Sequence, residues 1–220
     1  MYAREVKGRT LTLGVSGMLW QASVVLYDQE TKSLWSHLLG VAKAGPLRGT
    51  RLEPIPSIIT TWQEWLGAHP RTTVGFLPRS AWRYNRAILT LDRQKYVIGL
   101  RRGKHARAWS LSHLARRDDP CLNETWQGVP LVVVLDRKSF SLRIFDRRVG
   151  EQTLEFSWRD DSWEDLQTGT RWHPLTGQGL EGPLKGKRLR PLEGIFSYTR
   201  AWLDFHPQSE LWPAGWRPGR

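Results

Sequence analysis

Apolar and polar residues alternate along most of the chain, which is the pattern of β-strands that bury one face. The alternation predicts a series of strands, at Arg9–Gly17, Leu19–Tyr27, Tyr96–Leu100, Ala106–Leu111, Ser141–Phe145 and Thr153–Trp158. A continuous apolar run at Val129–Leu135 predicts one more, buried strand. Apolar residues three and four positions apart predict two short helices, Ser57–Ala68 and Gly194–Phe205. The pattern therefore predicts an α+β, mainly β protein with a few short helices.

One stretch of sequence occurs twice, at Asp28–Pro70 and at Asp165–Pro207, and the two copies align at a constant offset of 137 residues without a gap. Such ungapped self-similarity indicates an internal duplication. We therefore predict internally duplicated antiparallel-sheet units: a first, incomplete unit over residues 1–77, a connector at 78–95, a second unit over 96–212 and a tail at 213–220.

Two local motifs recur in the repeat. Asp28 and Asp165 each begin a tight turn, and an aspartate there accepts hydrogen bonds from the turn amides, which explains these carboxylates better than catalysis does. Further on, Gly45–Gly49 and Gly182–Gly186 both have the sequence Gly-Pro-Leu-basic-Gly. Two glycines that bracket a proline predict a fixed bend between extended segments.

Composition adds two unusual features, 13 Trp and a net charge of +12 in 220 residues. Trp rings fill cores or form stacking platforms for sugars and bases, and the alternating or helical spacing of these Trp favours the core. Trp35 and Trp172 begin equivalent strands, and we expect them to pack toward a shared core. The positive charge suits nucleic acid, anionic lipid or acidic polysaccharide, but it is scattered, so nucleic-acid binding is the weakest of our hypotheses.

Cys121 is the sole cysteine, which rules out an intrachain disulfide and a cysteine-based metal site. No apolar run reaches the length of a membrane span, and residues 1–10 lack the apolar segment of a signal peptide. The sequence as it stands predicts a cytoplasmic protein without a transmembrane segment.

Several segments together resemble the domain-of-unknown-function 3179 family, namely Leu11–Ser36, Ala44–Trp62, His69–Pro70, Ala106–Leu114, Gly128–Val134 and Phe145–Val149. The resemblance covers nearly the whole chain and implies no settled activity. Members of that family typically carry a Cys-Pro-Leu-Cys stretch just before the segment that begins here at Met1, and such a pair suits redox or metal chemistry. The first unit also lacks the strands, Tyr96–Asp146, that precede the second copy, and the resemblance begins abruptly at Met1. We therefore expect a fragment of a longer protein, and a secreted or periplasmic location if the missing part brings a secretion signal.

A few residues are candidates for chemistry. His69 and His206 are equivalent and could share a metal, although a histidine at a helix end also suits the last carbonyls of the helix. An anion site is a second hypothesis, built on the glycine bends and the nearby basic residues Arg48, Arg51, Lys185 and Arg188. Asp160, Asp161, Glu164 and Asp165 lack calcium-loop spacing, and Ser16 lacks a base partner. We expect no catalytic residue and no cofactor.

These observations favour a non-catalytic binding or structural module. The alternative is a remnant of a metal- or redox-active protein whose cysteine-bearing half is missing, and the weaker alternative is nucleic-acid binding through the basic surface. The first strand lacks a neighbour from its own unit, and an unpaired edge strand favours association, so we also expect either cover by the connector or a homodimer.

Overall fold

The computed structural model describes residues 1–75 and 95–217, and most of its regular structure is β. Within these residues lie the helices α1 (Trp62–Ala68), α2 (Leu111–Arg116) and α3 (Thr199–Phe205). The strands, in chain order, are β1 (Glu5–Val6), β2 (Arg9–Thr10), β3 (Leu13–Trp20), β4 (Ser23–Asp28), β5 (Leu34–Ser36), β6 (Val41–Ala44), β7 (Tyr96–Arg102), β8 (His105–Ser110), β9 (Cys121–Trp126), β10 (Val129–Leu135), β11 (Leu142–Asp146), β12 (Arg148–Val149), β13 (Gln152–Thr153), β14 (Phe156–Arg159), β15 (Ser162–Asp165), β16 (Arg171–Trp172), β17 (Gly179–Glu181), β18 (Ile195–Tyr198) and β19 (Glu210–Trp212). The predicted α+β, mainly β class is confirmed.

The described strands form four-stranded sheets in the orders β3-β4-β5-β6, β14-β15-β16-β17 and β18-β7-β8-β19, a three-stranded sheet β11-β10-β9, and the small hairpins β1-β2 and β12-β13. Consecutive strands pair in antiparallel fashion, as in the β10–β11 ladder where Val133 lies opposite Ile144. Strand β19 instead runs parallel to β8, with Leu211 opposite Ala108. The side chain of Asn123 on β9 connects this strand to β14. Its Nδ2 donates to the backbone carbonyl of Phe156 at 2.7 Å, and its Oδ1 accepts from the backbone N–H of Phe156 at 2.9 Å.

The chain forms two compact units, each made of separate segments. Unit 1 comprises Met1–Ser57, Val97–Ser110 and Pro191–Arg220, and unit 2 comprises Ile58–Tyr96 and Leu111–Arg190. The sheet β3–β6 therefore belongs to unit 1 and its repeat β14–β17 to unit 2, whereas α1 belongs to unit 2 and α3 to unit 1. The predicted division at 1–77 and 96–212 concerns the sequence repeat and stays a prediction.

The repeat in the sequence corresponds to a repeat in the structure. Helices α1 and α3 begin 137 residues apart, at Trp62 and Thr199. The hairpins β1–β2 and β12–β13 are equivalent at an offset of 143, as are the fully buried Leu11 and Leu154. The offset changes because the β3–β4 hairpin spans 16 residues from Leu13 to Asp28, whereas β14–β15 spans 10 from Phe156 to Asp165.

The turn after β4 and after β15 is held by a buried aspartate. Asp28 Oδ2 accepts from Thr31 Oγ1 at 3.0 Å, from the Ser33 amide at 3.1 Å and from the indole Nε1 of Trp35 at 2.8 Å. Burial by itself would raise the pKa of Asp28, but these hydrogen bonds together hold it below its usual value. Asp165 Oδ2 repeats the arrangement with Thr168 Oγ1 at 2.8 Å and Trp172 Nε1 at 2.9 Å.

The same turn occurs a third time between β10 and β11, where the repeat in the sequence does not reach. Asp136 accepts from the amides of Lys138 and Ser139, and its own amide donates to the Ser141 carbonyl at 2.9 Å. Phe140 takes the left-handed conformation at φ 57°, as Lys32 does at 59° and Gly169 at 67° in the other two turns. The shared spacing Asp-x-x-Ser/Thr-x-Ser/Thr is the sequence signal for this turn. The third turn has Arg143 at the position of Trp35 and Trp172, so the tryptophan is not required for the turn to form.

The glycine bends pack directly against these turns. Ser33 Oγ accepts from the Leu47 amide at 3.0 Å, and Thr170 Oγ1 accepts from the Leu184 amide at 3.0 Å. All four bend glycines have positive φ, between 80° and 105°, as the predicted fixed bend requires: Gly45, Gly49, Gly182 and Gly186. A Cβ on Gly182 would lie 2.8 Å from Thr170 Cα, whereas one on Gly186 would meet open space.

Each repeat builds its own core. Trp35 packs with Val6, Leu11, Ala42 and Leu52. Its counterpart Trp172 packs in a different cluster, with residues that include Phe145, Phe156, Trp163 and Leu189. The expectation that Trp35 and Trp172 share a core is therefore wrong, because each indole is fixed by the aspartate of its own turn.

The structure corrects several predicted boundaries. The first hairpin turns at Gln21–Ala22, both with positive φ, rather than near Gly17, which instead lies in a β-bulge between Val15 and Leu19. Each predicted helix begins five residues too early: residues 57–61 are not helical and most of 194–198 form β18. Their β-branched and aromatic side chains favour extended backbone.

Strand β9 was not predicted, because the polar Asn123 and Glu124 interrupt its pattern. The predicted connector at 78–95 lies outside the described residues except for Lys95.

Replacing Asp165 by Asn should lower the free energy of unfolding by about 2–4 kcal/mol, because the charged acceptor of Trp172 and Thr168 is lost in a buried place. Asp161→Asn is the matched control: its side chain is 84% exposed and forms one surface ion pair with Lys138, so the change should stay within about 0.5 kcal/mol. Urea unfolding followed by circular dichroism measures both. Equal losses in the two variants would contradict the role assigned to Asp165.

Gly182→Ala and Gly186→Ala separate steric contact from backbone strain. Both glycines have positive φ, so each alanine should cost about 1 kcal/mol in strain. Only the Gly182 variant also brings a Cβ onto the Thr170 backbone, and it should lose at least about 2 kcal/mol more. Thermal unfolding of the two variants side by side tests this order, and a larger loss for Gly186→Ala would be inconsistent with the packing of the bend on the turn.

Candidate functional site

His69 and His206 occupy equivalent helix ends. The backbone N–H of each donates to the carbonyl of the tryptophan four residues earlier at 2.8 Å, and each imidazole lies 4.3 Å from the indole of that tryptophan, Trp65 or Trp202. His69 is exposed in unit 2, and His206 is half-buried in unit 1. Within residues 1–75 and 95–217, no group of three or more His, Cys, Asp or Glu side chains could hold a metal ion.

Backbone amides of the glycine bends already donate hydrogen bonds within the protein. In the first bend the amides of residues 47–50 donate to Ser33 Oγ and to the carbonyls of Gly45, Ala42 and Leu47. The second bend repeats these bonds at residues 184–187. An anion at either bend would therefore depend on side chains, and Arg48 and Lys185 both lie exposed at the bend surface.

Arg51 and Arg188 stand at equivalent positions but in different surroundings. Each pairs with the strand beside it through an isolated bridge, Arg51 with Val41 and Arg188 with Gln178. Arg188 also donates to Gln178 Oε1 at 3.2 Å. Arg51 instead lies near a second guanidinium, that of Arg101 on β7.

Arg101 is the centre of a basic cluster that we define as Arg51, Arg101 and His206. Burial, and secondly the charge of Arg51, lower the pKa of Arg101. Burial and the Arg101 charge lower the pKa of His206 to about 4, so its imidazole is neutral at pH 7. Its Nε2 is buried and has no hydrogen-bond partner among the described residues. Each residue of the cluster comes from a different segment of unit 1.

The positive charge of this cluster is not offset by an ion pair within residues 1–75 and 95–217, since no described Asp or Glu forms one with Arg51 or Arg101. Tyr2 also lies near Arg101, and its hydroxyl donates to the Leu38 carbonyl at 2.9 Å. Burial raises the pKa of Tyr2 although Arg101 opposes this, so Tyr2 is neutral and carries no compensating charge. The arrangement suits an anion, because unpaired guanidinium groups bind oxyanions in bidentate geometry.

The other candidates are engaged in structural contacts. Asp165 accepts from Thr168 and Trp172, and Asp160 and Asp161 form the exposed turn of the β14–β15 hairpin. Ser16 Oγ donates to the Val25 carbonyl at 2.6 Å. The Cys121 thiol is buried, and burial raises its pKa to about 12, so it is not a thiolate nucleophile at neutral pH.

The chain belongs to a family described as protein of unknown function (DUF3179), whose model matches residues 1–90 and 82–209. The resemblance stated from the sequence is thereby confirmed. No curated protein and no solved structure matches the chain. Over the described residues, no helix has the length and apolar character needed to cross a membrane.

The titration of His206 tests the basic cluster directly. Its pKa of about 4 lies below the unfolded value of about 6.5, so the unfolded chain binds more protons between these values. The free energy of unfolding should therefore fall as the pH drops from about 6.5 to about 4. Arg101→Gln should raise the pKa of His206, which an NMR titration of its Hε1 signal measures. A His206 pKa that does not move in this variant would contradict the proximity of the two charges.

Proposed function

We propose that the protein is a non-catalytic binding module that holds a small oxyanion, such as a phosphate, sulfate or carboxylate group, at the basic cluster. The observation that carries the proposal is the half-buried Arg101 guanidinium with Arg51 beside it and no carboxylate paired with either among the described residues. Holding like charges together costs free energy, and a ligand oxyanion offsets that cost by pairing with both.

Two further features support an anion rather than another ligand. His206 is neutral at pH 7, and its unpartnered Nε2 becomes a charged donor when a nearby anion raises the pKa. The equivalent histidine of the repeat, His69, has different neighbours. It lies near His173, whose Nε2 is 3.9 Å from the carboxylate of Glu64. Of the two equivalent histidines, His206 is therefore the one beside an arginine that has no ion-paired carboxylate among the described residues.

The redox alternative draws no support from Cys121, whose thiol is buried and stays protonated at neutral pH. That hypothesis depends on a cysteine pair outside this sequence. The nucleic-acid alternative shares the chemistry of the oxyanion, and its distinguishing property is a steep dependence of affinity on salt.

The proposal is tested by titrating inorganic phosphate and sulfate at constant ionic strength into three proteins: the wild type, Arg101→Gln and Arg188→Gln. Arg188 is the repeat equivalent of Arg51 and is engaged by Gln178, so it serves as the matched control. We expect a saturable rise in Tm and in the His206 pKa for the wild type and the control, and roughly a tenfold or greater loss of affinity in Arg101→Gln.

Sodium chloride at matched ionic strength separates binding from simple screening of the repulsion between Arg51 and Arg101. The proposal fails if chloride reproduces the full effect, or if Arg101→Gln and Arg188→Gln respond alike. Binding of a single-stranded oligonucleotide that falls steeply with salt and survives Arg101→Gln would instead favour the nucleic-acid hypothesis.

A further inference from the structure

The β3–β4 hairpin carries an unusual surface. Residues Leu13–Tyr27 contain no Asp, Glu, Lys or Arg, although 25% of the chain is charged. Three apolar side chains on this hairpin are exposed: Val15 (70%), Met18 (46%) and Leu19 (71%). Trp20 follows them and is 37% exposed, and its ring packs edge-on against Phe205 with 4.9 Å between the ring centroids. We call Val15, Met18 and Leu19 the apolar patch. Exposed apolar groups gathered on one element are typical of contact surfaces for proteins or membranes.

The repeat provides an internal comparison. The equivalent hairpin β14–β15 is six residues shorter, and its turn reads Arg159-Asp160-Asp161, with both aspartates at positive φ as Gln21 and Ala22 are. The sheet β14–β17 therefore forms with a short, charged hairpin. The extra length and the uncharged tip of β3–β4 are not needed to build the sheet, which favours a role in binding.

Basic side chains border the hairpin. Lys43 Nζ lies 4.8 Å from the ring centroid of Trp20, and Lys32 Nζ lies 5.8 Å from that of Tyr27. The neighbouring carboxylates of Asp28 and Glu30 stay charged, but they lie at the end of the hairpin away from its turn: Asp28 pairs with Leu13, and Glu30 accepts from the Thr12 amide at 2.9 Å. An uncharged apolar surface with lysines over aromatic rings matches the boundary between lipid tails and anionic head groups.

Charge decides between the possible occupants. A second copy of the chain would bring another +12 net charge to the contact, and repulsion opposes that association. An anionic lipid surface attracts the same charge and takes up the apolar side chains. We propose that the β3–β4 hairpin docks the protein on the surface of an anionic phospholipid membrane, with the apolar patch inserted among the acyl chains near the head groups.

Vesicle flotation tests the proposal, with vesicles of phosphatidylcholine alone and with vesicles that contain about one third phosphatidylserine as the anionic lipid. We expect binding to the anionic vesicles, reduced roughly tenfold or more in Leu19→Asp and about fivefold in Lys43→Gln. Leu180→Asp is the matched control, since Leu180 is 41% exposed and stands at the repeat position of Lys43. It should bind as the wild type does, and circular dichroism confirms that each variant is folded.

A site-specific probe reports insertion independently. Because Cys121 is buried, Leu19→Cys can be labelled selectively with an environment-sensitive fluorophore. Its emission should shift to the blue on anionic vesicles, and that of labelled Leu180→Cys should not.

Four results would overturn the proposal. The first is absence of binding to anionic vesicles at low salt, and the second is equal binding by Leu19→Asp and the wild type. The third is a lipid-free dimer, measured by light scattering, that Leu19→Asp dissociates, which would identify a second copy as the occupant. Loss of vesicle binding in Arg101→Gln with retention in Leu19→Asp would likewise exclude the hairpin and leave the basic cluster as the lipid contact.

Discussion

The buried aspartate of the turn after β4 and after β15 is the interaction on which each repeat depends. A carboxylate removed from water is stable only when donors surround it, and here the donors come from its own turn and from the tryptophan that opens the next strand. This turn also holds the glycine bend, because the hydroxyl of Ser33 or Thr170 accepts a hydrogen bond from an amide of the bend. Strand, turn, core tryptophan and bend are therefore one cooperative element.

The two copies keep this element but differ in their charges. Asp146 in the second copy is buried between Arg148 and Arg190; burial would raise its pKa, but these two partners lower it to about 2. The equivalent positions in the first copy hold Ala3, Glu5 and Glu53. The basic cluster differs between the copies in the same way: His206 lies near Arg101, whereas its counterpart His69 lies near His173, which is 3.9 Å from Glu64. Duplication preserved the scaffold, whereas the charged surface of each copy is specific to it.

The fold class, the duplication, the turns and the bends could be predicted because each depends on residues close together in the sequence. Asp28 and Trp35, for example, are seven residues apart and interact directly. The basic cluster could be predicted only in part: Arg51 and His206 were candidates, but in separate hypotheses. Arg101 was missed because only the folded chain brings it to them. The helix starts were predicted too early for a different reason. Residues 195–198 have apolar spacing that suits a helix, but the same residues also suit the extended backbone that they adopt.

The composition of unit 1 has a consequence for how the protein is made. Its first 57 residues share a compact body with residues 191–220, and β19 pairs with β8 across about a hundred positions of chain. During translation, the segment Met1–Ser57 therefore cannot complete unit 1 until residues 191–220 have been synthesised. Such distant pairing also slows the search for the native arrangement. During that interval the uncharged β3–β4 hairpin lies on an incompletely folded chain, which exposes apolar surface to aggregation.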